Sequence, residues 1–186
     1  MQAFENYRIK RLASHSLTLE PITRAHAVEL FEPLLEPSLY RYISDEPPSS
    51  LEELEARYAG LETRRSPDGT GLWLNWMIRK DGKPAGIVQA TCNEQHQVFT
   101  GYEVFDGFRH HGVGCSAVSA MLAHIHEATG IRQGLAYVDT RNVASIRLLE
   151  RLRFVRQRVL RDADFFKGEV SDEYEYERDI SLPFGP

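Results

Sequence analysis

Eleven residues in the middle of the chain, FDGFRHHGVGC (Phe105 to Cys115), carry three glycines, an arginine, two histidines and a cysteine. Such a stretch fits a cradle for phosphate, a metal site, or a turn with no chemistry. For phosphate the spacing Arg109-x-x-Gly112-x-Gly114 makes physical sense. Missing side chains at 112 and 114 let a ligand approach the main chain. A helix that opens here presents unpaired N–H groups at Val113 and beyond, and its dipole favours an anion. Arg109 adds a charged donor for phosphate oxygens, and His110 and His111 stand beside it. Cys115, Ser116 and Ala117 are small and keep the approach open. A glycine-rich turn that merely joins two elements explains the same letters, because short glycine motifs are weak signals.

Other glycine motifs compete. Gly112, Gly114 and Ala117 satisfy a dinucleotide fingerprint, with Asp139 about 20 residues further on. That fingerprint puts its first glycine at a strand end, whereas Asp106 to His111 intervene here. A P-loop needs Gly-Lys-Ser/Thr, which is missing. As metal ligands, His110, His111, Cys115, His124 and His126 are poorly disposed. Helical positions 124 and 126 point about 200° apart, and no neighbour completes a tetrahedral set.

The elements that must position this stretch follow from periodicity. Ser16 to Thr23 alternates as a first strand. Ala25 to Leu35 has helical spacing disturbed by Pro33 and Pro37, which predicts a helix of three turns or fewer and another short one near Leu39 to Ile43. Ser49 or Ser50 caps a helix carried by LEELEARYAGLE. Asp81-Gly82 joins two strands of a hairpin over 72–92. Val98 to Phe105 is a third strand, and Gly112 to Glu127 an amphipathic helix. GLAYVD then reads as a short buried strand, with Tyr137 a core aromatic. NVASIRLLERL reads as a helix, and FVRQRVL and DEYEYERDI as closing strands. The order β-α-α-β-β-β-α-β-α-β-β describes a mixed α/β domain. The whole chain, 1–186, reads as one domain with 1–14 as an N-terminal extension.

Composition bounds the partners. The chain has 186 residues, a net charge of −5 and a pI near 5.8, which disfavours a nucleic-acid-binding surface. Two cysteines cannot form a disulfide framework. No stretch approaches the ~18 apolar residues of a membrane span, and the N-terminus has no apolar signal region. The expectation is a cytoplasmic protein with neither membrane nor nucleic-acid partner and no metal. The terminal strands offer an edge on which two copies could pair as a homodimer.

In the order and spacing of its motifs, the chain resembles the GNAT N-acetyltransferase superfamily, in its RimJ/RimL-like branch. Arg109, Gly112 and Gly114 match the superfamily's Gln/Arg-x-x-Gly-x-Gly/Ala signature for acetyl-CoA. Gly101-Tyr102, the pair Asn142 and Ser145, and Phe154 match the branch, and the likeness runs from about Ser16 to Ile180. It implies a central, mostly antiparallel sheet with helices on both faces, and acetyl-CoA as co-substrate without a metal. The implied reaction is direct transfer to a primary amine, on a protein N-terminus or a small molecule. Three positions depart from the pattern. Leu149 replaces a tyrosine that can protonate the thiolate, Phe99 replaces a glutamate, and Arg153 replaces a glycine. A GNAT-fold module that binds acyl-CoA with weak or lost catalysis is the alternative.

The resemblance assigns roles. Main-chain N–H groups of Val104 and Phe105 bind the thioester oxygen. Val113, Gly114 and Cys115 hold the coenzyme together with Arg109 to Gly112, and Asn142 contacts the pantetheine arm. Asn142 is equally placed as an N-cap. Glu103 shares a strand face with Phe99, Gly101 and Phe105, where apolar neighbours raise its pKa toward the range useful in a base. Pointing outward, it would only solubilise the strand. Ser145 is the candidate donor of a proton to the thiolate, with Tyr137 a second hydroxyl. The acceptor pocket falls near Leu30–Ile43 and Leu51–Thr63, where Phe31, Tyr40, Tyr42 and Tyr58 either line it or belong to the core.

Overall fold

Short local signals set the frame of the computed structural model, which describes residues 9–14 and 17–184. In chain order the elements are strands β1 (Leu12–Ser14) and β2 (Leu17–Pro21), helices α1 (Ala27–Leu34) and α2 (Leu51–Leu61), and strands β3 (Leu72–Lys80), β4 (Lys83–Cys92) and β5 (Gln97–Val104). Helix α3 (Val113–Thr129), strand β6 (Gln133–Asp139), helix α4 (Val143–Arg151) and strands β7 (Val155–Phe166) and β8 (Glu169–Asp179) complete the chain.

The expected hairpin forms because Asp81 and Gly82 both take positive φ, 50° and 80°, the geometry of a tight turn whose twist matches the strands. Ser50 caps α2 by accepting the Glu53 N–H, and the Glu53 carboxylate returns to the Ser49 N–H at 2.8 Å. Pro33 sits in the last turn of α1, which ends at Leu34, and Pro37 opens a short 3-10 turn to Tyr40.

The eight strands form one sheet in the order β1-β2-β3-β4-β5-β6-β8-β7. Every pairing is antiparallel except β5 with β6. Alternation along β3 divides the core. Leu74, Trp76 and Ile78 pack with Val118, Met121 and Ile125 of α3 and Leu149 of α4. Met77 packs on the opposite side with Leu30 of α1 and Leu54 and Tyr58 of α2. Helices therefore cover both faces.

Two features depart from expectation. A short strand, Leu12–Ser14, pairs with β2; it is too brief to show a period of two. The remainder of the predicted N-terminal extension, 1–8, lies outside the described residues, as does Ser16 of the predicted first strand. The closing hairpin also runs past its apolar letters, and β7 carries register shifts between Arg156 and Arg158 and between Leu160 and Asp164. No helix is long and apolar enough to cross a membrane among the described residues.

Candidate active site

β5 and β6 separate almost as soon as they meet. Only Gln97, Val98 and Phe99 pair with Gln133, Gly134 and Leu135. Beyond them β5 runs to Val104 and β6 to Asp139 with a notch between. The ladders on either side fix what lines it. Phe105 N–H donates to Ala85 O at 2.9 Å, so by alternation Glu103 and Gly101 turn their main chain toward β4. Val104, Tyr102 and Thr100 turn theirs into the notch. On the far side Ile180 N–H donates to Arg132 O at 2.8 Å, which by the same rule turns the main chain of Tyr137 into the notch. A strand-like gap edged with peptide groups can hold an extended polar arm.

The glycine loop lies at the mouth of this notch. Asp106–Phe108 makes a 3-10 turn and α3 begins at Val113, with Gly112 as N-cap at φ 74°. Gly112 has no side chain to cap the helix, and the first amide paired within it is Ser116, bonded to Gly112 O at 3.0 Å. Among the described residues the amides of Val113, Gly114 and Cys115 have no partner, as an anion site requires. A Cβ on Gly112 would meet nothing within 4 Å, so the space above the helix start is open. His110 (φ 64°) and His111 are exposed at its edge.

Two residues of this loop have partners within the protein. Arg109 donates from Nε to Val104 O at 2.9 Å, pairs with Asp106 at 2.5 Å and reaches Ser38 Oγ at 3.4 Å. Those contacts hold its guanidinium at the end of β5. Gly114 is buried, and a Cβ there would stand 2.6 Å from Leu148 Cδ1 and 3.4 Å from Val104 Cγ2. Its missing side chain serves the packing of α3 on α4, not the approach of a ligand.

Glu103 lies opposite Ile87 on the face that carries α1 and α2. It is partly buried, and among the described residues its carboxylate makes no hydrogen bond or ion pair. Burial pushes its pKa up, Arg57 opposes that, and Asp45 adds to it. Arg57 and Asp45 pair with each other at 3.8 Å. A desolvated, unpaired carboxylate at the end of β5, beside the notch, has the properties of a base.

A β-bulge sets this strand end. Between Ile78↔Gly86 and Arg79↔Pro84, Ala85 is the extra residue on β4. A Cβ on Gly86 would fall 2.0 Å from Glu103 O. An isolated glycine inside an apparent strand is the sequence signal for such an approach.

Hydroxyl groups gather on the α3–α4 side. Asn142 caps α4, its Oδ1 accepting the Ser145 N–H at 3.2 Å. Tyr102 donates its hydroxyl to Ser145 O at 3.3 Å, so β5 and the first turn of α4 are tied across the sheet. Leu149, which departs from the tyrosine that the resemblance implies there, is 1% exposed in the core. Tyr137 is not the core aromatic that its strand suggested: it is 41% exposed and stacks on Phe99 with ring centroids 6.0 Å apart. That face of β6 has no helix over it. Asp139, buried at the end of β6, accepts from Arg141 N–H at 2.7 Å and Ser171 Oγ at 2.7 Å, fixing the turn into Asn142.

A clasp joins the closing hairpin to the segment after α1. Lys167, in the β7–β8 turn, donates to Tyr40 O and Ile43 O. The hairpin tip is thereby fastened to the segment after α1.

Residues 16–155 match the sequence profile of an acetyltransferase (GNAT) domain. No curated protein sequence matches the chain. Solved structures share its fold at low identity. An acetyl transferase from Salmonella typhimurium, described as modifying the N-terminal serine of 50S ribosomal subunit protein L7/L12, is 19% identical with a TM-score of 0.81, over 91% of this chain and 99% of that one. A ribosomal-protein-S5-alanine acetyltransferase from Vibrio fischeri is 16% identical with a TM-score of 0.81, over 96% and 100%. RimJ of Mycobacterium smegmatis, solved with CoA-disulfide, is 18% identical with a TM-score of 0.77, over 89% and 82%.

Proposed function

Because the chain belongs to the GNAT acetyltransferase family, we propose that it moves an acetyl group from acetyl-CoA to a primary amine by direct attack. The acceptor is a protein N-terminal α-amine or the amine of a small molecule. One observation supports this reading above the others: the three-pair junction of β5 and β6 opens a peptide-lined notch directly beside a helix start whose amides are unpartnered.

The residues fit the coenzyme part by part. Amides of Val113, Gly114 and Cys115 receive the diphosphate, with Gly112 leaving the space clear and His110 and His111 at its margin. The pantetheine arm takes the place of a strand in the notch, against the main chain of Tyr102 and the cap residue Asn142. The coenzyme supplies an activated acetyl group. Val104 N–H, and Phe105 at the strand end, hold the carbonyl oxygen, while Arg109 braces that end through Val104 O.

Glu103 takes the proton that the amine loses as its nitrogen bonds to the acetyl carbon. Ser145, whose main-chain N–H and carbonyl are held by Asn142 and Tyr102, gives a proton to the sulfur as the carbon–sulfur bond breaks and regains one from solvent. Holding both reactants in line supplies much of the rate.

Calorimetric titration with acetyl-CoA, followed by CoA release across amines and N-terminal peptides, tests the reading. Tight binding with release on a subset of amines is expected. A flat titration would end it, and binding without release on any amine would leave only a coenzyme-binding module.

A further inference from the structure

Arg178, near the end of β8, is a guanidinium taken inside the fold, 6% exposed. It donates to the main-chain carbonyls of Leu152, Leu182 (3.0 Å) and Pro183 (2.8 Å), and its central carbon lies 4.1 Å from the centre of the Phe184 ring. Its Nε has no hydrogen-bond partner among the described residues. These contacts tack the segment after β8 onto the end of α4. They satisfy hydrogen bonds but supply no counter-charge, which a buried cation ordinarily has.

A cleft of about 770 Å³ opens beside Arg178. It lies at the end of the sheet away from the mouth of the notch, where Arg178 and Asp179 pair with Gly134 and Gln133. Arg153 lines the same cleft and brings a second guanidinium, exposed and without an ion pair among the described residues. Much of the wall is apolar: Val155 and Leu182 are 61% and 57% exposed, with Pro183 and Phe184 beside them.

Two carboxylates also border the cleft. Asp179 is neutralised by Arg132 at 2.6 Å, and Glu177 accepts only from the Gln133 amide, at 2.9 Å. Two guanidiniums thus face one carboxylate that has no cationic partner, an excess of positive charge. Burial and then the charge of Arg153 lower the pKa of Arg178, with Asp179 opposing, as expected of two cations beside one space. Arg153 also holds φ 61°, where glycine is at ease and arginine is strained. The turn needs that conformation and has no use for a guanidinium. Strain of this kind gathers at ligand sites.

We infer that the cleft binds a small amphipathic anion, its carboxylate or phosphate paired with Arg153 and drawn by the charge of Arg178, its apolar body against Val155 and Leu182. Arg153 makes the direct contact, and Arg178, set deeper, acts through its field. The volume suits a small organic ligand. The site stands apart from acetyl transfer and does not rest on that reading.

Benzoate and phenyl phosphate carry the two headgroups on one ring, and benzyl alcohol is an uncharged counterpart. Amide shifts in ¹H–¹⁵N spectra of the full chain, recorded with acetyl-CoA present, report where each binds. One of the two anions should shift Arg153, Val155 and Phe184, and the tighter one identifies the headgroup. Benzyl alcohol should bind at least tenfold more weakly. Arg153→Gly should weaken the anion by about 10- to 100-fold, the loss of a hydrogen bond to a charged group, with a melting temperature at or above wild type. No shift at these residues with either anion would overturn the inference, as would shifts confined to the start of α3. Equal binding of benzyl alcohol, or wild-type affinity in Arg153→Gly, would leave only an apolar cleft. The benzyl alcohol comparison uses wild-type protein and decides the matter alone if the variant misfolds.

Discussion

The carbonyl oxygen of Glu103 lies 2.0 Å from the point where a Cβ on Gly86 would stand. Gly86 has φ 153° and follows the extra residue of the β4 bulge, so two main chains pass there with no room for a side chain. The strand end carrying Glu103 and Val104 is held in place by the absence of an atom on its neighbour.

Gly86→Val should therefore destabilise the protein by about 1–3 kcal/mol through overpacking and lower turnover beyond what the stability loss explains. Denaturant unfolding and kcat on the folded fraction check this. A variant with wild-type kcat would show that the strand end tolerates displacement.

Glu103→Gln should lower turnover by about 10²–10⁴-fold with acetyl-CoA affinity unchanged. Burial raises the carboxyl pKa above the ordinary 4.5, Arg57 opposes this and Asp45 reinforces it. The wild-type rate should thus rise with pH through a value above that of a free carboxylate, and the limb should vanish in the variant. Stability runs the other way. With a raised folded-state pKa, the contribution of the neutral carboxyl is complete below the unfolded value and lost as pH rises through the folded one. The variant should accordingly melt higher than wild type at neutral pH and alike at acid pH.

Gly112 and Gly114 should part company. Gly112→Ala places its Cβ in open space at φ 74°, with a strain of about 1–2 kcal/mol, and acetyl-CoA affinity should fall by at least tenfold if the group enters the anion site. Gly114→Ala drives a Cβ to 2.6 Å from Leu148 Cδ1, so its effect should appear in stability. Leu148→Ala on that background should recover part of the loss, a non-additivity expected of touching residues.

Arg153 follows α4 with φ 61°, the left-handed conformation that glycine enters freely. Arg153→Gly should stabilise the fold by about 0.5–1 kcal/mol, the relieved strain less the added freedom of the unfolded chain. Thermal melts check it, with no change in turnover expected.

What the sequence disclosed was local. The Asp81-Gly82 turn, the caps at Ser50 and Asn142 and the open helix start at Gly112 each depend on neighbours a few residues away. The misread positions depend on distant ones. Gly114 looked like a ligand's doorway because Leu148 approaches it only in the folded state. Tyr137 looked buried because an apolar run in a short strand does not say which face lacks a helix. The first strand of the sheet was three residues long and offered no period. Tyr58 could be placed among candidate pocket aromatics, yet that its buried hydroxyl has no hydrogen-bond partner is a property of packing and has no letter of its own.

A sheet welded at its middle by three residue pairs keeps an internal edge of bare peptide groups, the kind of edge on which stray chains can pair and aggregate. Whatever occupies the gap therefore protects the protein as well as serving it, and binding only the folded form raises its apparent stability by mass action. Starved of its small-molecule partner, the molecule should be both more fragile and more prone to clump.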